Sequence, residues 1–264
     1  MSGADWDAFW LGLPPRRLYA ALHGAPGATG VVLAPPLLHE LPRSRRFLTE
    51  IAGEFAAMGL PCLRFDYHGT GDSGGEGEEL DFASMQRDLD LAVQALRDRT
   101  GVERTVLLAW RGSALALQGW VERAAVDLVV LWEPILDGAQ WLRELVEGDA
   151  AERAQRPPPR AGVPRTTNPA DGQLMGFAAS PRLRGDLDRA RVEGDIARGR
   201  VPVWGVVRAS PTALPLALAR QLSLPEGAPN FNVAAAMDAT FFLTPPMRDL
   251  VGELGVAMRR EAFA

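Results

Sequence analysis

The chain has 264 residues, of which 47% are hydrophobic and 23% charged, and its formal net charge is −5. That length suits one large α/β domain better than two, and the balance excludes a disordered or fibrous chain. Mild acidity removes any bulk electrostatic reason to hold nucleic acid or an anionic membrane. The opening segment Met1–Trp10 carries Asp5 and Asp7 and has neither the basic nor the apolar region of a signal peptide. Arg17–Leu22 reads as an early edge strand, Gly24–Gly30 as a turn, and Gly30–Ala34 as a short apolar strand ended by Pro35-Pro36. Arg45–Met58 places Phe47, Ile51, Phe55 and Met58 on one helical face, and Gly59 closes that helix. Pro61–Tyr67 is the next strand and contains Cys62, the one cysteine, which reads as a core residue and excludes an intramolecular disulfide.

Asp66–Gly77 is a glycine-rich loop, followed by a helix over Phe82–Arg97 with Met85, Leu89, Ala92, Val93 and Leu96 on one face. Arg104–Trp110 is a buried strand, Gly112–Arg123 a helix starting abruptly after it, and Val126–Trp132 another buried strand. Val201–Val207 is the last clear parallel strand, and Phe241–Thr244 is a strand candidate before a helix over Met247–Arg259. Short apolar runs alternating with amphipathic helices predict an α/β fold, a mostly parallel, doubly wound sheet in one domain spanning 1–264. Residues 147–200 break this rhythm with Arg156-Pro157-Pro158-Pro159-Arg160. They read either as a lid or insertion over the carboxyl ends of the strands or as a disordered surface loop. No run approaches the ~20 apolar residues of a membrane span, so a soluble cytoplasmic protein is expected.

Two stretches carry the chemistry. Asp66-Tyr67-His68-Gly69-Thr70-Gly71-Asp72-Ser73-Gly74 lies between a strand and a helix, with Gly69 and Gly71 placed for a tight turn and Asp66 and Ser73 for bonding loop backbone. It lacks the Gly-Lys-Ser/Thr ending of a phosphate loop. Leu107-Leu108-Ala109-Trp110-Arg111-Gly112-Ser113-Ala114 is a strand, a sharp turn and a helix in succession. The first stretch is similar to the D-x-x-G-x-G-x-S loop of α/β hydrolases, and the second resembles their nucleophile elbow, G-x-S-x-G. On that register Ala109 and Ser113 take the glycine positions and Arg111 takes the serine. A guanidinium stays protonated and is no nucleophile.

Pro35-Pro36-Leu37-Leu38-His39-Glu40-Leu41-Pro42-Arg43-Ser44-Arg45-Arg46 and Trp132-Glu133-Pro134-Ile135-Leu136-Asp137-Gly138, with Trp141-Leu142 after it, resemble stretches of the exosortase-A-system-associated hydrolases. The likeness runs from about Trp10 to Leu145. It implies an arginine at the elbow and a setting near exopolysaccharide and protein-sorting functions. An ordinary triad needs an acid after the penultimate strand and a histidine after the last. Here Val207 is followed by Arg208, and the three histidines are His23, His39 and His68.

Catalysis would therefore have to use His39, near the expected oxyanion loop and read as a solvated-loop residue, together with Ser113 or Asp137. Ser113, two residues past the apex, reads as a packing residue, and Asp137 reads more simply as a helix cap. An oxyanion pocket built from Leu37, Leu38, Trp110, Arg111 and Gly112 would favour an anionic small molecule or acidic sugar. Alternatively, Arg111 pairs with Glu40, Glu133 or Asp137 and seals the site. A protein partner on the apolar tail Phe231–Phe242 is a further reading, beside the simpler one that the tail is buried in the core. No metal set and no dinucleotide fingerprint is visible, so no cofactor is expected. The two functional readings are a non-catalytic, anion-binding accessory protein and a non-standard hydrolase or acyltransferase for ester, thioester or amide substrates.

Overall fold

A computed structural model describes residues 6–155, 172–209, 214–231 and 242–260. Its strands are Trp6–Leu11 (β1), Leu18–His23 (β2), Thr29–Ala34 (β3), Cys62–Phe65 (β4), Arg104–Trp110 (β5), Leu128–Trp132 (β6), Gln173–Leu174 (β7), Phe177–Ala178 (β8), Val203–Val207 (β9) and Arg220–Ser223 (β10). Its α-helices are Glu40–Ala57 (α1), Phe82–Thr100 (α2), Gly138–Gln155 (α3), Pro181–Arg189 (α4) and Pro245–Arg260 (α5).

Every residue of β3, β6 and β9 is buried, as strands covered on both faces require. Eight strands form one sheet in the order β1-β2-β4-β3-β5-β6-β9-β10. The β1–β2 and β2–β4 pairs are antiparallel, and all the other pairs are parallel. The predicted doubly wound, mostly parallel sheet is therefore present. Successive strand residues point to opposite faces. Leu107, Ala109, Val129 and Leu131 face Met85, Leu89 and Leu96 of α2. Val106, Leu108, Trp110, Val130 and Trp132 face Phe47, Ile51 and Phe55 of α1 and Val251, Leu254 and Met258 of α5. Burial pushes the Cys62 thiol far up, which makes it an inert core group.

Five features differ from the sequence reading. The early strand is not an edge, because β1 pairs along it from Trp6↔His23 to Leu11↔Leu18. Helix α1 begins at Glu40 rather than Arg45, and Pro42 is tolerated because it falls in the first turn, where N–H groups lack helical partners anyway. Arg111–Leu117 is a 3₁₀ helix and does not continue to Arg123. Gln118 turns extended, and Gly119 has a φ of +70° that helix cannot continue. A further parallel strand, β10, lies beyond β9. Phe242–Thr244 form no strand, and residue 241 lies outside the described residues.

Within 147–200, α3 runs on to Gln155, β7 and β8 form a small hairpin, and Ser180 Oγ caps α4 by accepting from Leu183 N at 3.2 Å. The proline stretch Arg156–Arg160 lies outside the described residues, as does most of the tail Phe231–Phe242. Among the described residues no helix is long and apolar enough to cross a membrane.

His23 closes β2 and is 2% exposed, with its Nε2 accepting from Arg64 Nε at 3.1 Å. Burial first, and Arg64 second, lower its pKa from 6.5 to about 4. Between those values the unfolded chain binds a proton that the folded chain refuses, so stability falls as the pH drops through that window. Urea unfolding at pH 7 and pH 4.5 should show a loss of roughly 2–3 kcal/mol from this group. His23→Gln should remove about that much of the pH dependence, and an unchanged pH slope would rule this assignment out.

Candidate functional site at the carboxyl ends of the strands

Non-glycine residues with left-handed backbone mark the exits of three neighbouring strands: Leu38 (φ 53°) after β3, Arg111 (φ 50°) after β5 and Glu133 (φ 43°) after β6. Such conformations cost energy for L-residues and collect where the chain turns sharply at functional positions. Arg111 sits at the apex between β5 and the 3₁₀ helix. Its Nε and Nη2 donate to Glu40 Oε1 at 3.1 and 3.0 Å, and its Nη1 donates to the Glu133 carbonyl at 3.4 Å. Glu40, the first residue of α1, is wholly buried, and the Arg111 side chain is only 14% exposed.

Burial pushes the Glu40 carboxyl up, against the pull of Arg111. Desolvation works against the Arg111 charge too, yet the Glu40 and Glu133 carboxylates hold its pKa above the ordinary arginine value. The pair is thus a fixed cation on a buried acid. Glu40 Oε2 has no hydrogen-bond partner among the described residues.

The charges continue along the sheet. Glu133 accepts from Arg208 Nε at 2.5 Å, and Arg208, directly after β9, also donates to the carbonyls of Ala228 (3.2 Å) and Pro229 (2.6 Å) in the loop after β10. On the other side, Arg43 of α1 is buried and donates to the Phe231 carbonyl at 2.9 Å. Burial lowers its pKa, and Glu152 and Glu40 oppose that shift.

Trp141 of α3 closes the apex from above. A Cβ added to Gly112 would lie 2.6 Å from the Trp141 ring and 3.4 Å from Leu37, so glycine is required for this contact. Beside it, a cleft of about 100 Å³ runs between Leu37 and Leu38 on one side and Gly69, Thr70 and Gly71 on the other, under Phe177 and Ala178 of β8. Drug-sized ligands occupy several times that volume. Among the described residues, the Leu37 and Leu38 N–H groups donate to no backbone carbonyl outside the regular elements.

The other candidates are tied into the framework. Ser113 is fully buried; its Oγ donates to the Pro35 carbonyl at 2.5 Å and lies 3.0 Å from Tyr67 Oη. Asp137 caps α3, accepting from Gln140 N at 2.7 Å, and pairs with Arg191 at 3.2 Å. His39 is 2% exposed, not a solvated-loop residue, because α1 starts one residue later and carries it into the interior. Trp110 is buried on the opposite face of the sheet from Ala109, stacked on Trp132 at 4.6 Å. In the glycine-rich loop, Asp66 Oδ2 accepts from Asp72 N (2.9 Å) and Arg45 Nη2 (2.5 Å), while Ser73 Oγ donates to the Asp66 carbonyl (2.6 Å) and accepts from Tyr19 N (2.9 Å). Gly69 (φ 77°) and Gly71 (φ 57°) supply the turn, and a Cβ on Gly71 would strike the Asp66 carboxylate.

The structure therefore brings Leu37, Leu38, Arg111 and Gly112 together, and gives Ser113 and Asp137 separate bonding roles. Sequence reasoning missed Arg208 as the cation facing Glu133. The signal was its place directly after a strand. Among the described residues no group of three or more His, Cys, Asp or Glu side chains is arranged to hold a metal ion.

No protein-family model matches the chain, and no curated protein matches it. Solved structures do. The α/β hydrolase GrgF from a Penicillium species is 15% identical, with 98% of each chain covered and a TM-score of 0.61. A proline iminopeptidase-related protein from Thermus thermophilus is 18% identical over 96% of this chain and 98% of that one, with a TM-score of 0.61. Est1E from Butyrivibrio proteoclasticus, solved with ferulic acid, is 14% identical over 96% of this chain and 100% of its own, with a TM-score of 0.60. The chain has the α/β-hydrolase fold.

Removing one member of a buried ion pair strands the other charge. Arg111→Met should therefore cost about 3–5 kcal/mol in urea unfolding at pH 7, while Arg111→Met with Glu40→Leu should recover most of that loss. A double-mutant cycle reads the coupling; additive effects would show that the pair is not coupled.

Proposed function

We propose that this chain is a non-catalytic α/β-hydrolase-like protein, in which Arg111 stands where the nucleophilic serine of active relatives would be. The observation that carries the reading is the apex itself: a permanent cation in a strained backbone position, bonded to the buried Glu40 carboxylate. The acid position after β9 holds Arg208, and all three histidines precede β5 in sequence. Each step of triad chemistry thus lacks its group: no hydroxyl to attack, no imidazole to take the proton, no carboxylate to orient that imidazole.

The role we infer is that of a cytoplasmic accessory protein beside exopolysaccharide or exosortase-linked processes, on the strength of the Pro35–Arg46 and Trp132–Leu142 stretches. Its ligand class is a small anion, such as a carboxylate or an acidic sugar, exchanging with Glu40 at Arg111. The Leu37, Leu38 and Gly112 N–H groups would serve as further donors. The described parts of residues 147–200 act as a lid on the single domain. Phe177 and Ala178 already line the cleft, and Trp141, just ahead of that segment, covers Gly112. The alternative, a hydrolase or acyltransferase working through His39, Ser113 and Asp137, has less support, because the Ser113 hydroxyl bonds Pro35 and Tyr67 and the Asp137 carboxylate bonds Arg191.

The test is direct. A fluorophosphonate probe should label no serine, and short-chain p-nitrophenyl esters should turn over at the background rate. Arg111→Ser should remain inactive, since restoring a hydroxyl supplies no base. Labelling of the wild-type chain would defeat the reading. Galacturonate, acetate and inorganic phosphate are the binding probes: a rise in Tm that disappears in Arg111→Met supports the anion site. A wild-type Tm unmoved at high millimolar ligand would leave Glu40 as the permanent occupant and remove the ligand-binding part of the proposal.

A further inference from the structure

The two edges of the sheet are built differently. The β10 edge is four residues long and polar, with Arg220 paired to Glu253 on α5 at 3.2 Å. Charges and short length are the usual protection of an open edge. The β1 edge is six residues long, pairs only with β2 among the described residues, and reads Trp-Asp-Ala-Phe-Trp-Leu. Trp6 is 53% and Trp10 is 47% exposed.

Alternation puts Trp6, Ala8 and Trp10 on one face of β1 and Asp7, Phe9 and Leu11 on the other. Trp6 stacks on His23 with ring centroids 6.2 Å apart, and Trp10 meets Tyr19 edge-on at the same centroid distance. On the other face, the Arg99 guanidinium of α2 lies 3.5 Å from the Phe9 ring centre and 3.6 Å from Asp7. A six-residue backbone edge with two half-exposed indoles is a template for another strand.

We propose that β1 docks on β1 of a second copy of this chain, antiparallel, about a two-fold axis through Ala8. The sequence of the edge is complementary to itself in that register and in no need of another partner. Trp6 comes opposite the partner's Trp10, and Trp10 opposite the partner's Trp6, so their face gains two cross-strand indole pairs. Ala8, the smallest side chain of the run, faces itself on the axis. Asp7 comes opposite the partner's Phe9 and so beside the partner's Arg99. Two aspartates and two arginines then alternate across the axis, with no like charges directly opposed. The pairing is isologous, as closed two-fold dimers require, and it joins the two sheets into one.

Ala8 is exposed in the single chain, so a charge there does not disturb the fold, but in the dimer it meets its own copy. Sedimentation equilibrium on the full chain at micromolar concentrations should give twice the chain mass. Ala8→Lys and Ala8→Glu should each sediment as monomers with the wild-type Tm, an association weaker by roughly a hundredfold. An equimolar mixture of the two should return to the dimer mass. Arg99→Ala, a change outside β1, should weaken the wild-type dimer. A monomeric wild type would overturn the proposal, as would A8K and A8E chains that stay dimeric. A mixture that stays monomeric, or an R99A chain that associates as tightly as wild type, would refute this register.

Discussion

A guanidinium that cannot release its proton lies against a carboxylate with no solvent contact, and the exits of neighbouring strands are arranged around that pair. The order of charges follows the order of strands: Glu40 after β3, Arg111 after β5, Glu133 after β6, Arg208 after β9. Adjacent strands are only about 4.8 Å apart. Side chains from the first turn beyond each therefore meet their neighbours, and like charges in adjacent exits would repel. Alternation of sign lets several ionic groups share this end of the sheet. Burying them still costs several kcal/mol per ion, so the network is not a net source of stability over a well-packed apolar alternative. What it supplies is a fixed arrangement of loops, since each exit is held by the next.

Arginine suits this role for a geometric reason. Arg208 spreads its donors over the Glu133 carboxylate and two carbonyls, tying the loop after β10 to the β6 exit. Arg111 likewise reaches one carboxylate and one carbonyl. A lysine ammonium has three donors on a flexible stem and no planar fork. The sequence contains 28 cationic residues and no lysine. Every internal cation is therefore of the kind that keeps its charge when desolvated and binds several acceptors at once.

Much of the sheet was legible because burial on both faces leaves an unmistakable apolar run, as in Val31–Leu33, Val106–Trp110 and Leu128–Trp132. The edges were not. β1 mixes exposed tryptophans with Asp7, and β10 buries only Leu222, so neither shows a clean period. The helix after β5 was read too long because apolar residues continue to Val121, while the break comes from the backbone at Gln118 and Gly119. At the site, the sequence offered Glu40, Glu133 and Asp137 as partners for Arg111 without choosing among them. Glu40 and Arg111 are 71 positions apart, and the parallel register of β3 with β5 makes them neighbours, while Asp137 pairs with Arg191. His39 was misjudged for a related reason: the helix was read from Arg45, which left the histidine in a loop after Pro35-Pro36, whereas α1 begins at Glu40 and draws it inside.

The strained backbone at Leu38, Arg111 and Glu133 bears on what the fold itself demands. Strain of this kind costs on the order of 1–3 kcal/mol per residue and persists only when its surroundings hold it. Here the anchors are backbone hydrogen bonds that ignore side-chain identity: Leu41 N to the Leu38 carbonyl at 3.2 Å, Ile135 N to the Arg111 carbonyl at 3.2 Å, and Glu133 N to the Val206 carbonyl at 2.8 Å. A serine at residue 111 would be held in the same conformation by the same bonds. The sharp turn after β5 is therefore a property of strand, turn and helix, and its presence says nothing about reaction. The chemistry resides in the side chain that the turn displays and in what faces it. On this chain that side chain is a cation, and what faces it is Glu40.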